Sequence, residues 1–516
     1  MEDLMQTKNS NSENTLVQVT LSLAHGKALG LLPLSPWPER ILQFGEGNFL
    51  RGFVDWMVEV LNRETDFRGG IVAIKPTRSS HTETLEQLRR QDHLYTVVLR
   101  GLRQGQVYEE SRLITSIVSS LHIEKDWEAL LQKATNPSLR FVVSNTTEAG
   151  IAYQPEAWVL HQPPKSFPAI LTAWLYQRYL HFKGASNRGM LILPCELIEN
   201  NGAELKRIIL LHARDWKLGS EFETWLCQHN HFANTLVDRI VPGFPKGEME
   251  EWSQRLGYRD ELLVSGEPYH LWGIEGDPIF QKEWPSLPTI NVVFTQNLLE
   301  LRTRKVKVLN GLHTMTVLLG HLAGLSTVRQ CLEHPQIGAF MHQGVNQEIA
   351  PTLSGSELEA AEYIRQILER FANPHIQHQC LSIALNSISK FKVRVLPTML
   401  EYMGLKGQPP KYLGLSLAAL ILFYRVQSLE HSKGLGHWNG EAYPIQDTMD
   451  NLLFMQRIWQ EDSGDLQKLT ARVLAEQSFW GQDCSSHSNL VACVAENLHN
   501  LMALGPISTL KNLLDG

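Results

Sequence analysis

Residues 40–61 read RILQFGEGNFLRGFVDWMVEVL, and the fold turns on how that stretch is parsed. Arg40 to Phe44 is a short apolar run leading straight into Gly45-Glu46-Gly47. Leu50, Phe53, Val54, Met57, Val58 and Leu61 then recur at i, i+3, i+4, i+7, i+8 and i+11, one face of an amphipathic helix. After Gly69-Gly70, Ile71 to Ile74 has the β-branched character of a buried strand. Strand, glycine turn, helix and second strand within about 30 residues make a βαβ unit. Glycines at such a turn let the backbone approach a pyrophosphate, and the amides that follow offer it N–H donors. Dinucleotide binding is therefore expected at Phe44, Gly45, Glu46, Gly47, Asn48 and Phe49, although Leu50 stands where the usual fingerprint has a third glycine. The second strand ends Lys75-Pro76-Thr77-Arg78, without the Asp or Glu that grips the ribose hydroxyls of NAD. Basic residues there keep NADP open beside NAD.

The alternation continues outward. Leu94 to Arg100, Arg140 to Ser144 and Met190 to Pro194 read as strands, while Asp126 to Lys133 and the LKRIILLHA run read as helices. Apolar strands alternating with helices indicate a parallel, doubly wound α/β sheet. Past about residue 285 the strand patterns stop, and an all-α region is expected over 286–516. Within it, Ser356 and Glu359 form a capping box ahead of Leu358, Ala361, Ile364, Leu368 and Phe371. Residues 1–36, polar and then rich in Pro and Gly, read as an irregular extension before a domain over 37–285.

A net charge of −7 over 516 residues gives no electrostatic footprint for nucleic acid or an anionic membrane. The longest apolar run, Leu415 to Tyr424, is too short for a membrane helix. The opening MEDLMQTKNSNSEN lacks the basic and apolar regions of a signal peptide. Six scattered cysteines without a CxxC fit a reducing compartment, so a cytoplasmic location is expected.

The chemistry-bearing stretch is RKVKVLNGLH at 304–313. At about 100° per residue, Lys305, Asn310 and His313 share one side of a helix within an arc of about 140°. Lys, Asn and His together suit carbonyl–alcohol chemistry. A buried Lys can exchange a proton with the reacting oxygen while the others steady charge on it. A solvated basic face is the competing reading. Metal binding is not expected, because His229/His231 and His375/His378 lack a second ligand pair or an HExxH spacing.

Several stretches together resemble the mannitol dehydrogenase family of polyol-specific long-chain dehydrogenases and reductases. They are GEGNFLRGF (45–53), NTTEAG (145–150), FANTLVDRIVP (232–242), EPYHLWGIE (267–275), KVKVLNGLH (305–313) and RFANPHIQH (370–378). The GEGNFLR and VDW forms and LNSISKFKVRVLP (385–397) are most similar to the branch that reduces keto-hexuronates such as D-tagaturonate. The resemblance implies a Rossmann-like NAD(P)-binding domain, an all-α substrate domain and zinc-independent hydride transfer in the cleft between them. It places the catalytic Lys on Lys305, its Asn and His on Asn310 and His313, and nicotinamide contacts on Asn145 and Thr146. A second oxyanion-holding Asn falls on Asn200 or Asn201, in CELIENNG, where Glu196-Leu197 replaces the Asp-Asn pair of mannitol enzymes. Substrate contacts fall on Asp238 and Lys390. His378 and Ser382 stand near where mannitol enzymes carry Asp and Arg, so a sugar acid is the expected substrate rather than a neutral polyol. Lys390, Lys392 and Arg394 offer charge for its carboxylate. Fructuronate or a ketose within the same family, and an inactive dinucleotide-binding homologue, are the alternatives; oligomeric state is left open.

Overall fold

A computed structural model describes residues 20–33, 35–77, 82–146, 150–159, 161–245, 247–430 and 433–515. The chain divides into two compact units, one of residues up to 99, 110–266 and 276–294, the other of 100–109, 267–275 and 295 onward. The chain thus passes between the units several times, where the sequence pattern suggested one cut near 285.

The first unit is built on six strands: β1 (Glu39–Phe44), β2 (Gly70–Lys75), β3 (Ile117–His122), β4 (Phe141–Ser144), β5 (Leu191–Pro194) and β6 (His231–Phe232). They pair in the order β3-β2-β1-β4-β5-β6. Every neighbour is parallel. This is the doubly wound order in which ligands bind beyond the carboxyl ends of the strands, where the order reverses. Here the reversal lies at β1, whose Phe44 is registered with Ile74 on one side and Ser144 on the other. Gly45 and Asn145, the next residues, therefore flank the crevice. Leu42, Phe44, Val72 and Ile74 share a core with Trp127, Ile170, Trp174, Ile208 and Phe222 from the covering helices. Burial on both faces explains the continuous apolar strands.

The N-terminal stretch is more ordered than its Pro and Gly content suggested. Ser22 caps a short helix, Leu23–Ala28, and Leu21 is buried with Leu94 and Tyr258. Residues 1–19 of the expected extension lie outside the described residues.

The second unit is mainly helical. The Leu415–Tyr424 run makes up most of a helix, Lys411–Phe423, and its C-cap Tyr424, and the helix is buried at every position from Tyr412 onward. A helix apolar on all sides belongs inside, and this one packs against Gly311–Leu322 and Ser488–Leu504. The Ser356/Glu359 capping box is formed reciprocally at the start of Glu357–Phe371. The all-α expectation over 286–516 needs two corrections: Val292–Thr295 is a strand, and a separate small sheet lies further on. Ser428–Glu430, Lys433–Trp438 and Glu441–Ile445 form a three-stranded antiparallel sheet. Its second turn is Asn439-Gly440, with φ of 49° and 85°, the dipeptide that a tight hairpin turn requires. Among the described residues, no helix is long and apolar enough to cross a membrane.

Candidate active site

At the end of β1, Gly45 adopts φ +128°, and a Cβ there would lie 2.9 Å from both the Asn145 carbonyl oxygen and Leu50 Cδ1. Only glycine fits. Gly47 differs: a Cβ would meet nothing within 4 Å. It is also the N-cap of helix Asn48–Gly52, with no side-chain cap. Open space above uncapped amides suits a pyrophosphate. Leu50 fills the room beside Gly45, and close packing of the helix is transferred to Gly52, whose Cβ would lie 2.9 Å from Val241 Cγ1. That shift explains the missing third glycine. Asn48 accepts from Arg51 Nη2 at 2.6 Å, and Phe49 stacks on Phe53 with centroids 4.9 Å apart.

The base of this turn is a buried polar cluster. Gln43 donates to the Gly45 carbonyl at 3.1 Å, and Tyr95 donates to Asp55 Oδ2 at 3.0 Å. Burial pushes the Asp55 carboxyl up to about 7, against hydrogen bonds from Tyr95 and Gln43 and the nearby Arg51 charge. Beside the turn, Glu46 Oε1 meets Lys75 Nζ at 2.9 Å.

At the end of β4, Asn145 donates to the Cys195 carbonyl at 2.8 Å, while Thr146 donates its N–H and Oγ1 to buried Glu196. Of the two asparagines left open, Asn201 is buried and committed. Its Nδ2 donates to Pro194, Glu196 and Thr235 carbonyls, and its Oδ1 accepts from Gly202 and Thr235 amides. It has no donor to spare for a substrate. Asn200 is exposed at φ 50°, and Leu197 is 61% exposed. Asp238 is buried at the end of strand Asn234–Asp238.

In the second unit, Lys305 ends helix Leu298–Lys305, a π turn covers Val306–Asn310, and an α-helix resumes over Gly311–Leu322. The Gly311 amide reaches back to the Val306 carbonyl. One π turn absorbs about one extra residue, so five residues rotate like four. On that basis Lys305, Asn310 and His313 share an arc of roughly 60°, tighter than the about 140° of a plain α-helix. Such bulges recur at functional sites. Gly311 lets the helix pass close to Arg394: a Cβ would lie 3.3 Å from the Arg394 carbonyl oxygen, a tight contact.

His313 is 8% exposed, and its Nε2 has no hydrogen-bond partner. Burial, with His378, Arg370 and Arg394 nearby, drives its pKa well below the usual imidazole value; a hydrogen bond to the Leu309 carbonyl only partly opposes this. With Nδ1–H serving that carbonyl, Nε2 is an acceptor. Neutral His313 can thus accept a hydrogen bond from a substrate hydroxyl at Nε2. Phe371 stacks on the imidazole at 4.1 Å and His378 meets it edge-on at 5.3 Å.

Lys390 and Arg394 sit one turn apart on helix Ser387–Arg394. Lys390 donates to the Ile383 carbonyl at 2.8 Å, and Arg394 reaches Thr314 Oγ1 at 3.5 Å. Neither makes an ion pair with a described carboxylate, and burial lowers the pKa of both. Arg370, by contrast, is locked by Glu267 at 2.8 Å. Lys392 points elsewhere, its Cε within 3.1 Å of a Cβ built on Gly481. Sequence reasoning did not single out Thr314 or the stacking role of Phe371; their adjacency to His313 and place in RFANP were the available signals.

Residues 39–287 match the mannitol dehydrogenase Rossmann domain and residues 297–502 the mannitol dehydrogenase C-terminal domain. The chain is 42% identical to altronate oxidoreductase of Bacillus subtilis (strain 168) over 470 residues, covering 91% of this chain and 94% of that protein. It is 41% identical to altronate oxidoreductase of Yersinia pestis over 473 residues, 91% and 95% of the two chains. Among solved structures, Pseudomonas fluorescens mannitol 2-dehydrogenase in a ternary complex with NAD and D-mannitol shares the fold with a TM-score of 0.66, at 24% identity over 97% of both chains. A substrate-free D-sorbitol dehydrogenase does so with 0.73, at 20% identity over 96% of this chain and 100% of that one. With both domains matched in order across most of its length, this chain belongs to the mannitol dehydrogenase family.

Proposed function

We propose that the protein reduces the ketone of a keto-hexuronate, D-tagaturonate, to D-altronate with NADH, reversibly. The observation that carries this is the pair of half-buried cations Lys390 and Arg394, neither in an ion pair among the described residues although the Asp447 charge acts on Lys390, beside the helix bearing Lys305, Asn310 and His313. Such a pair suits a substrate carboxylate. The altronate oxidoreductase names of relatives at about 40% identity support the same substrate.

The Gly45–Gly47 turn holds the pyrophosphate, and Asn145 and Thr146 lie toward the nicotinamide end. When bound, the reduced nicotinamide supplies the hydride. Lys305 gives a proton from its ammonium to the forming alkoxide, and in oxidation takes it back as an amine. Asn310 and Asn200 donate to the developing oxyanion. His313 accepts a hydrogen bond from a substrate hydroxyl at Nε2, Asp238 accepts another, and Lys390 and Arg394 hold the carboxylate. A cytoplasmic setting fits the six free cysteines.

The test is oxidation of NADH and NADPH with D-tagaturonate, D-fructuronate and D-fructose side by side. Tagaturonate is expected to be fastest. A preference for fructose contradicts the carboxylate reading, a preference for fructuronate moves the substrate within the branch, and no turnover with any indicates an inactive homologue.

A further inference from the structure

The glycine turn contains an acid that its pyrophosphate role does not need. Glu46 lies between the two glycines, yet it is only 9% exposed and reaches to the end of β2, where its Oε1 meets Nζ of Lys75, itself 8% exposed, at 2.9 Å. The end of β2 is where dinucleotide folds meet the adenosine ribose, usually with an Asp or Glu that accepts from the 2′-hydroxyl. This chain has Lys75-Pro76-Thr77 there. Taken alone, that composition favours a 2′-phosphate. The ion pair changes the balance, because the Lys75 charge is already neutralised and a carboxylate occupies the position. The second oxygen, Oε2, makes no hydrogen bond among the described residues.

We propose that Glu46 selects NAD over NADP, supplying from the first turn the ribose-binding acid that β2 lacks, with Lys75 fixing its carboxylate. Oε2 accepts from the ribose 2′-hydroxyl. A 2′-phosphate carries a charge of about −1.5 to −2 and meets a carboxylate beside a lysine with no charge to offer. The proposal rests on reading the Gly45–Gly47 turn as the dinucleotide site, and it concerns the binding step alone.

The experiment is fluorescence titration of the purified protein with NADH and NADPH, without substrate, on wild type, Glu46→Gln and Lys75→Gln. Wild type is expected to favour NADH. Glu46→Gln frees Lys75 and should shift the ratio of dissociation constants toward NADPH by about tenfold or more. Lys75→Gln leaves the acid unopposed and should shift it further toward NADH, which provides a readout even if Glu46→Gln fails to fold. An unchanged ratio in whichever variant folds, or a wild-type preference for NADPH, overturns the proposal. If wild type binds neither dinucleotide, the reading of the turn itself fails, an outcome distinct from an unmoved ratio.

Discussion

His313 and Phe371 lie nearly face to face, with ring centroids 4.1 Å apart and planes tilted by 28°. The stack seals one side of an imidazole whose Nε2 is buried without a partner. The lowered pKa keeps His313 neutral through the physiological range. A depressed folded-state pKa means the unfolded chain binds the extra proton first, so this residue costs stability as pH falls below the unfolded value of about 6.5. His313→Asn should flatten the acid side of a plot of denaturation midpoint against pH and lower kcat/KM by about 10²-fold or more. An unchanged acid limb would show that His313 is not held neutral.

Asp55 acts in the opposite sense. Its folded value is raised to about 7, so the folded state binds the proton more tightly. Stability is greatest below the unfolded value of about 4 and declines as pH rises through 7, by at most ~4 kcal/mol. Asp55 Oδ1 and Gln43 Oε1 are both buried without partners, and a proton on Asp55 supplies a donor where both acceptors lack one. Asp55→Asn keeps the shape and supplies a permanent donor. Urea midpoints at pH 5.5 and 8.5 should differ less in that variant than in wild type. An equal difference would contradict the assignment.

Gly45 and Gly47 separate folding from binding. Gly45→Ala forces a side chain into a positive-φ site against the Asn145 carbonyl and should cost ~1–3 kcal/mol of stability. Gly47→Ala meets open space, so its melting temperature should stay near wild type while NADH affinity falls about tenfold as the methyl group intrudes on the pyrophosphate. Equal effects of the two substitutions would mean that the turn is only structural.

The π turn offers a test of the catalytic constellation. Inserting one alanine after Val306, beyond the single residue the π turn absorbs, should rotate Lys305 by about 100° from Asn310 and His313. Turnover should vanish with NADH binding retained. Lys305→Ala should likewise lower turnover by several orders of magnitude with NADH binding nearly intact. Loss of both activities together in Lys305→Ala would make that residue structural.

Local features were legible in the chain. The βαβ start, the strands ending at Phe44 and Ser144 and the Ser356 cap follow from periodicity and side-chain chemistry that act over a few residues. The hairpin around Asn439-Gly440 carried its own signal, overlooked because the surrounding pattern was helical. The π turn had none: VKVLN spaces its apolar residues as any helix would. Partner-dependent facts were equally hidden. Lys75 invited a phosphate until Glu46, 29 positions earlier, was seen to neutralise it. Asn201 was an oxyanion candidate until Thr235 and Pro194 claimed its amide.

Carboxylate recognition by Arg394 is most directly tested by kcat/KM for D-tagaturonate and for D-tagatose, which carries CH₂OH in place of the carboxylate, on wild type and Arg394→Gln. Wild type should prefer tagaturonate. Arg394→Gln should lose about 10²-fold or more on tagaturonate, chiefly through KM, and stay within about threefold on tagatose. Equal losses on both substrates, or none on tagaturonate, would contradict a carboxylate held at Arg394.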